Sequence, residues 1–222
     1  MSGTSLLDLL PDGLRNSELL EEALTHRSAA ARNNERLEYL GDAVLGMIVA
    51  EQLYRSRPDV TEGDLSRLRS ALVDKDSLAA IGSEWGLERY ISVGPGELKS
   101  GGSRRRSILA DAVEALIGAV YLYSGFDAAR EFVLCLYRER LANLPDADAL
   151  KDPKTRLQEW LQARNLDLPV YEVESISGKA HAQHFRALCR IESAGVEACG
   201  EGSSRRRAEQ AAAQCALEAL KG

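Results

Sequence analysis

Up to about residue 141, apolar positions recur at spacings of three and four, as at Leu37, Leu40, Val44 and Ile48. That period marks helices with one buried stripe, and strand-like alternation is absent from this stretch. Ser17 precedes Leu20, Ala23 and Leu24 at helical spacing and is placed to cap a helix. The segment Gly94-Pro-Gly-Glu-Leu-Lys-Ser-Gly-Gly102 breaks the pattern and reads as a loop. Residues 143–152 are polar, with prolines at 145 and 153, and read as an interdomain linker free to move.

Beyond residue 152 the grammar changes. Lys154 to Asn165 is helical in pattern. Val170 to Ile176 alternates, with Val170, Glu172 and Glu174 set against Tyr171 and Val173, and so predicts a strand. His184 to Ile191 and Gly195 to Cys199 predict two more, and Ser204 to Leu220 an alanine-rich helix. The expected architecture is an all-α domain over 1–142, a linker over 143–152, and a small α+β domain of α-β-β-β-α order over 153–222.

Within the first half, Glu35, Glu38 and Asp42 are spaced i, i+3 and i+7. At the helical pitch they fall within about 60° of one another, with the apolar stripe on the opposite side. Alone, this describes a solvated acidic face. Asp111 and Glu114 add a second one-turn pair, inside the apolar run from Ile108 to Leu122. A helix apolar nearly all round is normally buried, and burying two like charges a turn apart is costly. Three explanations fit: a salt bridge from Arg104, Arg105 or Arg106 two turns upstream, protonated carboxyls, or a metal. Two acid pairs on core helices favour the metal. An all-oxygen set with neither Cys nor His favours Mg²⁺ or Mn²⁺ over Zn²⁺.

Charge sharpens the division. The chain carries −6 overall. Residues 1–150 hold 17 Lys+Arg against 24 Asp+Glu, and residues 151–222 hold 11 against 10. The acidic half suits cations, and the second half could face an anion if its bases cluster. Four cysteines at 135, 189, 199 and 215 show no paired spacing and read as reduced thiols in a cytoplasmic protein. The apolar run is too short for a membrane span, and no secretory signal is visible. His181 and His184 have a zinc-like spacing but lack a third ligand nearby. His26 reads as structural.

The segment Asn34-Glu-Arg-Leu-Glu-Tyr-Leu-Gly-Asp-Ala-Val-Leu45 closely resembles the signature of the ribonuclease III family. Thr25-His-Arg-Ser28, Glu62-Gly-Asp-Leu-Ser66, the glycine-rich segment from Gly94 and the run Ile108 to Gly118 fall in that family's order, so the resemblance spans nearly the whole chain. It is similar to the bacterial type with a single nuclease domain. The resemblance implies metal-dependent hydrolysis of double-stranded RNA to 5′-phosphate and 3′-hydroxyl ends, in processing of ribosomal and other structured RNA precursors. It implies that Glu38, Asp42, Asp111 and Glu114 hold the metal, with Asp42 and Glu114 in the direct catalytic role. Glu35 matches an outer acid near the scissile strand and Glu62 one at a dimer cleft. Tyr39 stands where the family often has the Phe that inserts into a partner subunit, and Ala43 replaces a common Ser. One acid cluster per chain implies a homodimer for cutting both strands. A non-catalytic double-stranded-RNA binder on a nuclease-like fold is the alternative, as is a phosphohydrolase of small esters. All four ligand acids are present, so decay of the site is not visible.

The α-β-β-β-α order resembles the double-stranded-RNA-binding domain. The resemblance assigns Thr155, Gln158 and Glu159 to the minor groove, and Gly178-Lys-Ala-His181, with His181, to the next one. Ser203-Ser-Arg-Arg-Arg-Ala-Glu209 opens the last helix. Three arginines in a first turn oppose the helix macrodipole, and a polyanion lying across the free N–H groups, with Ser204 as cap, would reverse that sign. The family's basic pair maps to Arg205 and Arg206. Glu209 replaces its third lysine, which sets a negative charge against phosphate contact.

Overall fold

The computed structural model describes residues 6–99, 101–178 and 183–221. The chain divides into two compact units, Met1–Ala147 and Asp148–Gly222.

The first unit is helical, as its spacing predicts. Helix α1 (Glu18–Ala23) is capped by Ser17, whose hydroxyl accepts from the Leu20 N–H at 3.3 Å. Then come α2 (Glu35–Ser56), α3 (Glu62–Leu72) and α4 (Lys75–Glu84). Thr61 caps α3 and Asp74 caps α4 through side-chain oxygens. The glycine-rich segment expected to be only a loop holds one helical turn, α5 (Pro95–Lys99), and leads to a 3₁₀ turn at Gly102–Arg104. Pro95 fits a helix's first position, where its missing N–H costs nothing, and five residues are too few to show a period.

Helix α6 (Arg106–Leu136) is the centre of this unit, interrupted at Gly125 where φ is 83°. Every residue from Ile108 to Val120 except Asp111 is buried. By length and composition α6 could cross a membrane, yet 67% of its most apolar window is buried inside the fold. Its apolarity is that of a core helix wrapped by others, chiefly α2 and α4. A short α7 (Arg138–Ala142) ends the unit.

The second unit has the expected order. Helix α8 (Pro153–Gln162) begins with Pro153 and is capped by Asp152, which accepts from the N–H groups of Lys154 and Thr155. It stops three residues before Asn165, which takes a left-handed φ of 54° incompatible with continuing the helix. Strands β1 (Val170–Ser177), β2 (His184–Ile191) and β3 (Val196–Gly202) form an antiparallel sheet in the order β1-β2-β3. The third runs further than the alternation suggested, because Cys199, Gly200, Glu201 and Gly202 all pair with β2. Helix α9 (Arg205–Lys221) packs across the sheet. Leu157, Leu161, Cys189, Ile191, Ala212, Ala213, Ala216 and Leu217 form the core between α8, sheet and α9. Alanines on α9 let it approach the sheet closely.

Candidate functional site

The acidic side chains of the first unit come from two helices whose meeting is a matter of small residues. At the crossing of α2 and α6, a Cβ on Gly41 would collide with the backbone carbonyl of Glu114, and one on Gly118 with that of Leu37. Only glycine lets the two backbones touch. That contact lies one turn from Glu38 and Glu114, so it sets the separation of the carboxylates.

The result is a tight cluster. Carboxylate oxygens of Glu38, Asp111 and Glu114 all lie within 4.8 Å of one another. Asp42 is exposed and outside this triad, although its charge acts on Glu114 more than any other. Glu114 is 7% exposed. Burial, then repulsion from Asp42, Glu38 and Asp111, pushes its pKa up to about 8. Burial and Asp111 also raise that of Glu38.

The cation paired directly with the cluster is not one of the expected arginines. Arg105 pairs with Glu97 at 2.6 Å and Arg106 with Asp76 at 2.8 Å. The ammonium of Lys75, at the start of α4, lies 3.2 Å from Asp111 Oδ1. Sequence reasoning missed Lys75 because 36 residues separate it from Asp111 and no local pattern links them. It also missed Asn34, which is 2% exposed on the wall of the same cleft, with a buried Nδ2 that has no hydrogen-bond partner.

Glu35 lines this cleft, 3.4 Å from Arg27 Nη1. Glu62 does not. It opens α3 exposed to solvent and accepts from the Ser66 hydroxyl at 2.9 Å. His26 is a structural joint, as expected. Its N–H donates to the Ser92 carbonyl and its Nδ1 accepts from the Ser28 N–H, while Ser28 Oγ accepts from the Gly94 N–H. Tyr39 is 82% exposed and does not line the cleft; it shares a face of α2 with exposed Met47 and Tyr54.

A cluster of oxygen donors with one ammonium remains strongly negative. Its donor set fits a hard divalent cation: oxygens close enough to share one ion, one carboxyl held off ionisation by burial and its neighbours, and neither sulfur nor imidazole.

The second unit gathers charge of the other sign. Ser204 caps α9 by accepting from the Arg207 N–H at 3.2 Å, and Arg205, Arg206 and Arg207 stand exposed in the first turn. Gln158 and Glu159 are exposed on α8, Glu159 pairing with Lys151 at 2.6 Å. The Thr155 hydroxyl is engaged locally, donating to Asp152 at 2.8 Å. His181 lies outside the described residues.

Fold and sites together describe a helical domain whose acidic cleft suits a divalent cation and a second domain whose basic helix start suits a polyanion. A ribonuclease-III-like family model matches residues 16–141, and a double-stranded RNA binding motif matches residues 153–220. The protein named Ribonuclease 3 of Alkalilimnicola ehrlichii is 56% identical over 216 residues, covering 97% of this chain and 95% of its own. That of Vibrio cholerae is 54% identical over 206 residues, covering 93% and 92%. Among solved structures, the nuclease domain of ribonuclease III from Campylobacter jejuni is similar, with TM-score 0.57 and 41% identity, covering 62% of this chain and 99% of that one. The chain belongs to the ribonuclease III family. It is an endoribonuclease of double-stranded RNA, in a family that depends on divalent metal.

Proposed function

We propose that Glu38, Asp42, Asp111 and Glu114 hold the divalent ion, Mg²⁺ with Mn²⁺ as a substitute, and that Asp42 and Glu114 act closest to the reaction. The observation that carries this reading is a buried glutamate packed against two further carboxylates, with Lys75 paired to one of them. When bound, the ion supplies Lewis acidity to the scissile phosphate and to the attacking water. Glu38, Asp111 and Glu114 fix its position through the Gly41–Gly118 crossing. Burial and the neighbouring carboxylates hold the Glu114 proton to high pH, and a divalent ion held there would favour the ionised carboxylate, with the proton passing to solvent. Asp42 is exposed and its charge acts on Glu114, so in this reading it would orient water against the phosphate. Glu35 is proposed as an outer acid beside the scissile strand, and Glu62 as one that acts only where two copies meet.

Products carry 5′-phosphate and 3′-hydroxyl ends, and the substrates are structured precursors of ribosomal and other RNAs. Thr155, Gln158, Glu159, His181, Ser204, Arg205 and Arg206 are proposed to contact the duplex. Shape recognition of A-form RNA gives weak sequence preference. We place the nuclease domain at 1–142, the linker at 143–152 and the RNA-binding domain at 153–222, in keeping with family matches that end at 141 and begin at 153. The working form is a homodimer joined through the Tyr39 face. The large exposed Tyr39, Met47 and Tyr54 on one helix support that, and the Campylobacter jejuni structure bears a title describing a region involved in dimer formation. Four free cysteines suit a reducing cytoplasm.

The test is cleavage of a long RNA duplex with Mg²⁺. Wild type cuts, and Glu114→Gln binds the duplex without cutting. A variant that cuts at near wild-type rate would show the site to be misassigned.

A further inference from the structure

The buried carboxylate of Glu209 sits where α8 and α9 begin side by side. It is 9% exposed, yet it lies at the edge of a face that carries Arg205 and Arg206. Its two oxygens are divided between two cations. Oε2 accepts from Lys154 Nζ at 2.8 Å, and Oε1 accepts from Arg205 Nε at 2.8 Å. The Lys154 ammonium also lies 4.0 Å from the centroid of the Tyr171 ring. Burial alone would raise the Glu209 pKa, but hydrogen bonds from Lys154 and Arg205 hold it below the usual value, so the carboxylate is charged.

We propose that Lys154 is a phosphate-contacting residue of the double-stranded-RNA face, and that Glu209 positions it there together with Arg205. This rests on the reading that Arg205 and Arg206 face the RNA backbone.

Donor accounting supports it. An ammonium has three N–H donors. Glu209 takes one and the Tyr171 ring engages another, leaving a donor on a side chain that is 35% exposed. Arg205 gives Glu209 its inner Nε, which leaves both terminal nitrogens for a bidentate oxygen pair. One carboxylate therefore uses the donors that point inward and leaves those that point outward. Both long side chains lose rotamer freedom before RNA arrives, so less is lost on binding. Asp152, which caps α8, is occupied by the backbone N–H groups and the hydroxyl at the start of that helix. On this reading Glu209 organises the basic face, although by sign alone it would repel phosphate.

The experiment uses the full chain in EDTA, so that RNA is bound but not cut. Affinity for a 24-base-pair RNA duplex is measured across a KCl series, with thermal unfolding of each variant alongside. Lys154→Gln keeps a neutral hydrogen-bond donor facing Glu209 but loses the charge. It should weaken binding about three- to tenfold, and the slope of log K against log [KCl] should become shallower by about 0.9, one phosphate contact. Lys154→Met should repeat that loss, and Lys154→Arg should keep the wild-type slope. Glu209→Gln should bind no better than wild type. An unchanged slope in a folded Lys154→Gln variant overturns the phosphate contact, since a residue that only stitches α8 to α9 releases no counterion. Tighter binding by Glu209→Gln overturns the positioning role. Arg205→Ala with Arg206→Ala separates the two levels. If that pair also leaves the slope unchanged, the basic face itself is misread; if the pair flattens it and Lys154→Gln does not, only the present inference fails.

Discussion

The two units solve the same electrostatic problem in opposite ways. In each, two helices bring like charges together against the ordinary preference for separation. Around Glu114, Asp42, Glu38 and Asp111 crowd a buried carboxyl, and Lys75 answers Asp111 directly. The surplus negative charge and burial together raise the Glu114 pKa to about 8. At the start of α9 the surplus is positive. There Glu209 neutralises the inner side of Lys154 and Arg205, while the outer side stays open. The difference follows from the size of the ligand. A small ion fits within a cleft, so the proposed ligands can include one buried carboxyl, Glu114, whose repulsion with its neighbours is little screened. A duplex cannot be enclosed, so its partners stay on the surface and need only be held in place.

The comparison breaks most completely at Glu114. Glu114→Gln should lower cleavage of an RNA duplex by at least about a hundredfold, with duplex affinity kept. Binding measured in EDTA and cutting measured in Mg²⁺ distinguish the two sites. A variant that lost both would show that the units are not energetically separate.

Next comes the crossing that builds the cleft. Gly41→Ala places a methyl group against the Glu114 carbonyl, and α2 must move away from α6. We expect a loss of about 1–3 kcal/mol in stability and a drop in cleavage beyond what unfolding explains. Denaturant melts paired with cleavage rates check this, and full activity at wild-type stability would argue against the crossing as the device that sets carboxylate spacing.

The raised Glu114 pKa also has a pH signature. In metal-free protein the folded Glu114 holds its proton up to about pH 8, whereas the unfolded chain releases it near 4.5. Between those values the folded state binds more protons, so stability falls as pH rises through this window. Glu114→Gln should flatten the fall and raise the metal-free melting temperature at pH 8 by about 5 °C. Added Mg²⁺ should stabilise wild type more than the variant.

On the basic side the effects are smaller. Arg205→Ala with Arg206→Ala should weaken duplex binding about tenfold at physiological salt and reduce the salt slope by about 1.8. Ser204→Ala removes the hydroxyl that caps α9 and should cost about 1 kcal/mol of stability in the second unit, with a modest loss of RNA affinity.

Much of the fold was legible because its signals are local. Ser17 caps the helix it precedes, and the change of period after residue 152 marks three strands and a closing helix where they stand. The departures have local reasons too: the single turn of α5 is too short to show a period, and β3 extends over Gly200 and Gly202 because pairing with β2 holds them. The candidate site was half legible. Helical pitch put Glu38 and Asp42 on one side of α2, and Asp111 and Glu114 on one side of α6. Nothing local told Glu62 apart from the other outer acid, yet the structure leaves it in solvent away from the cleft. The cation was misread for the same reason. Arg104 to Arg106 are near Asp111 in sequence, but Arg105 and Arg106 turn to Glu97 and Asp76.

The charged groups, their helical phase and the family could be read along the chain, because residue type and period are properties of a segment. Which charges meet depended on how the helices pack. The contact of Gly41 with Gly118, the reach of Lys75 to Asp111 and the division of Glu209 between Lys154 and Arg205 each join groups on different helices. Coulomb energy depends on separation in space and on burial, and neither is fixed until helices pack.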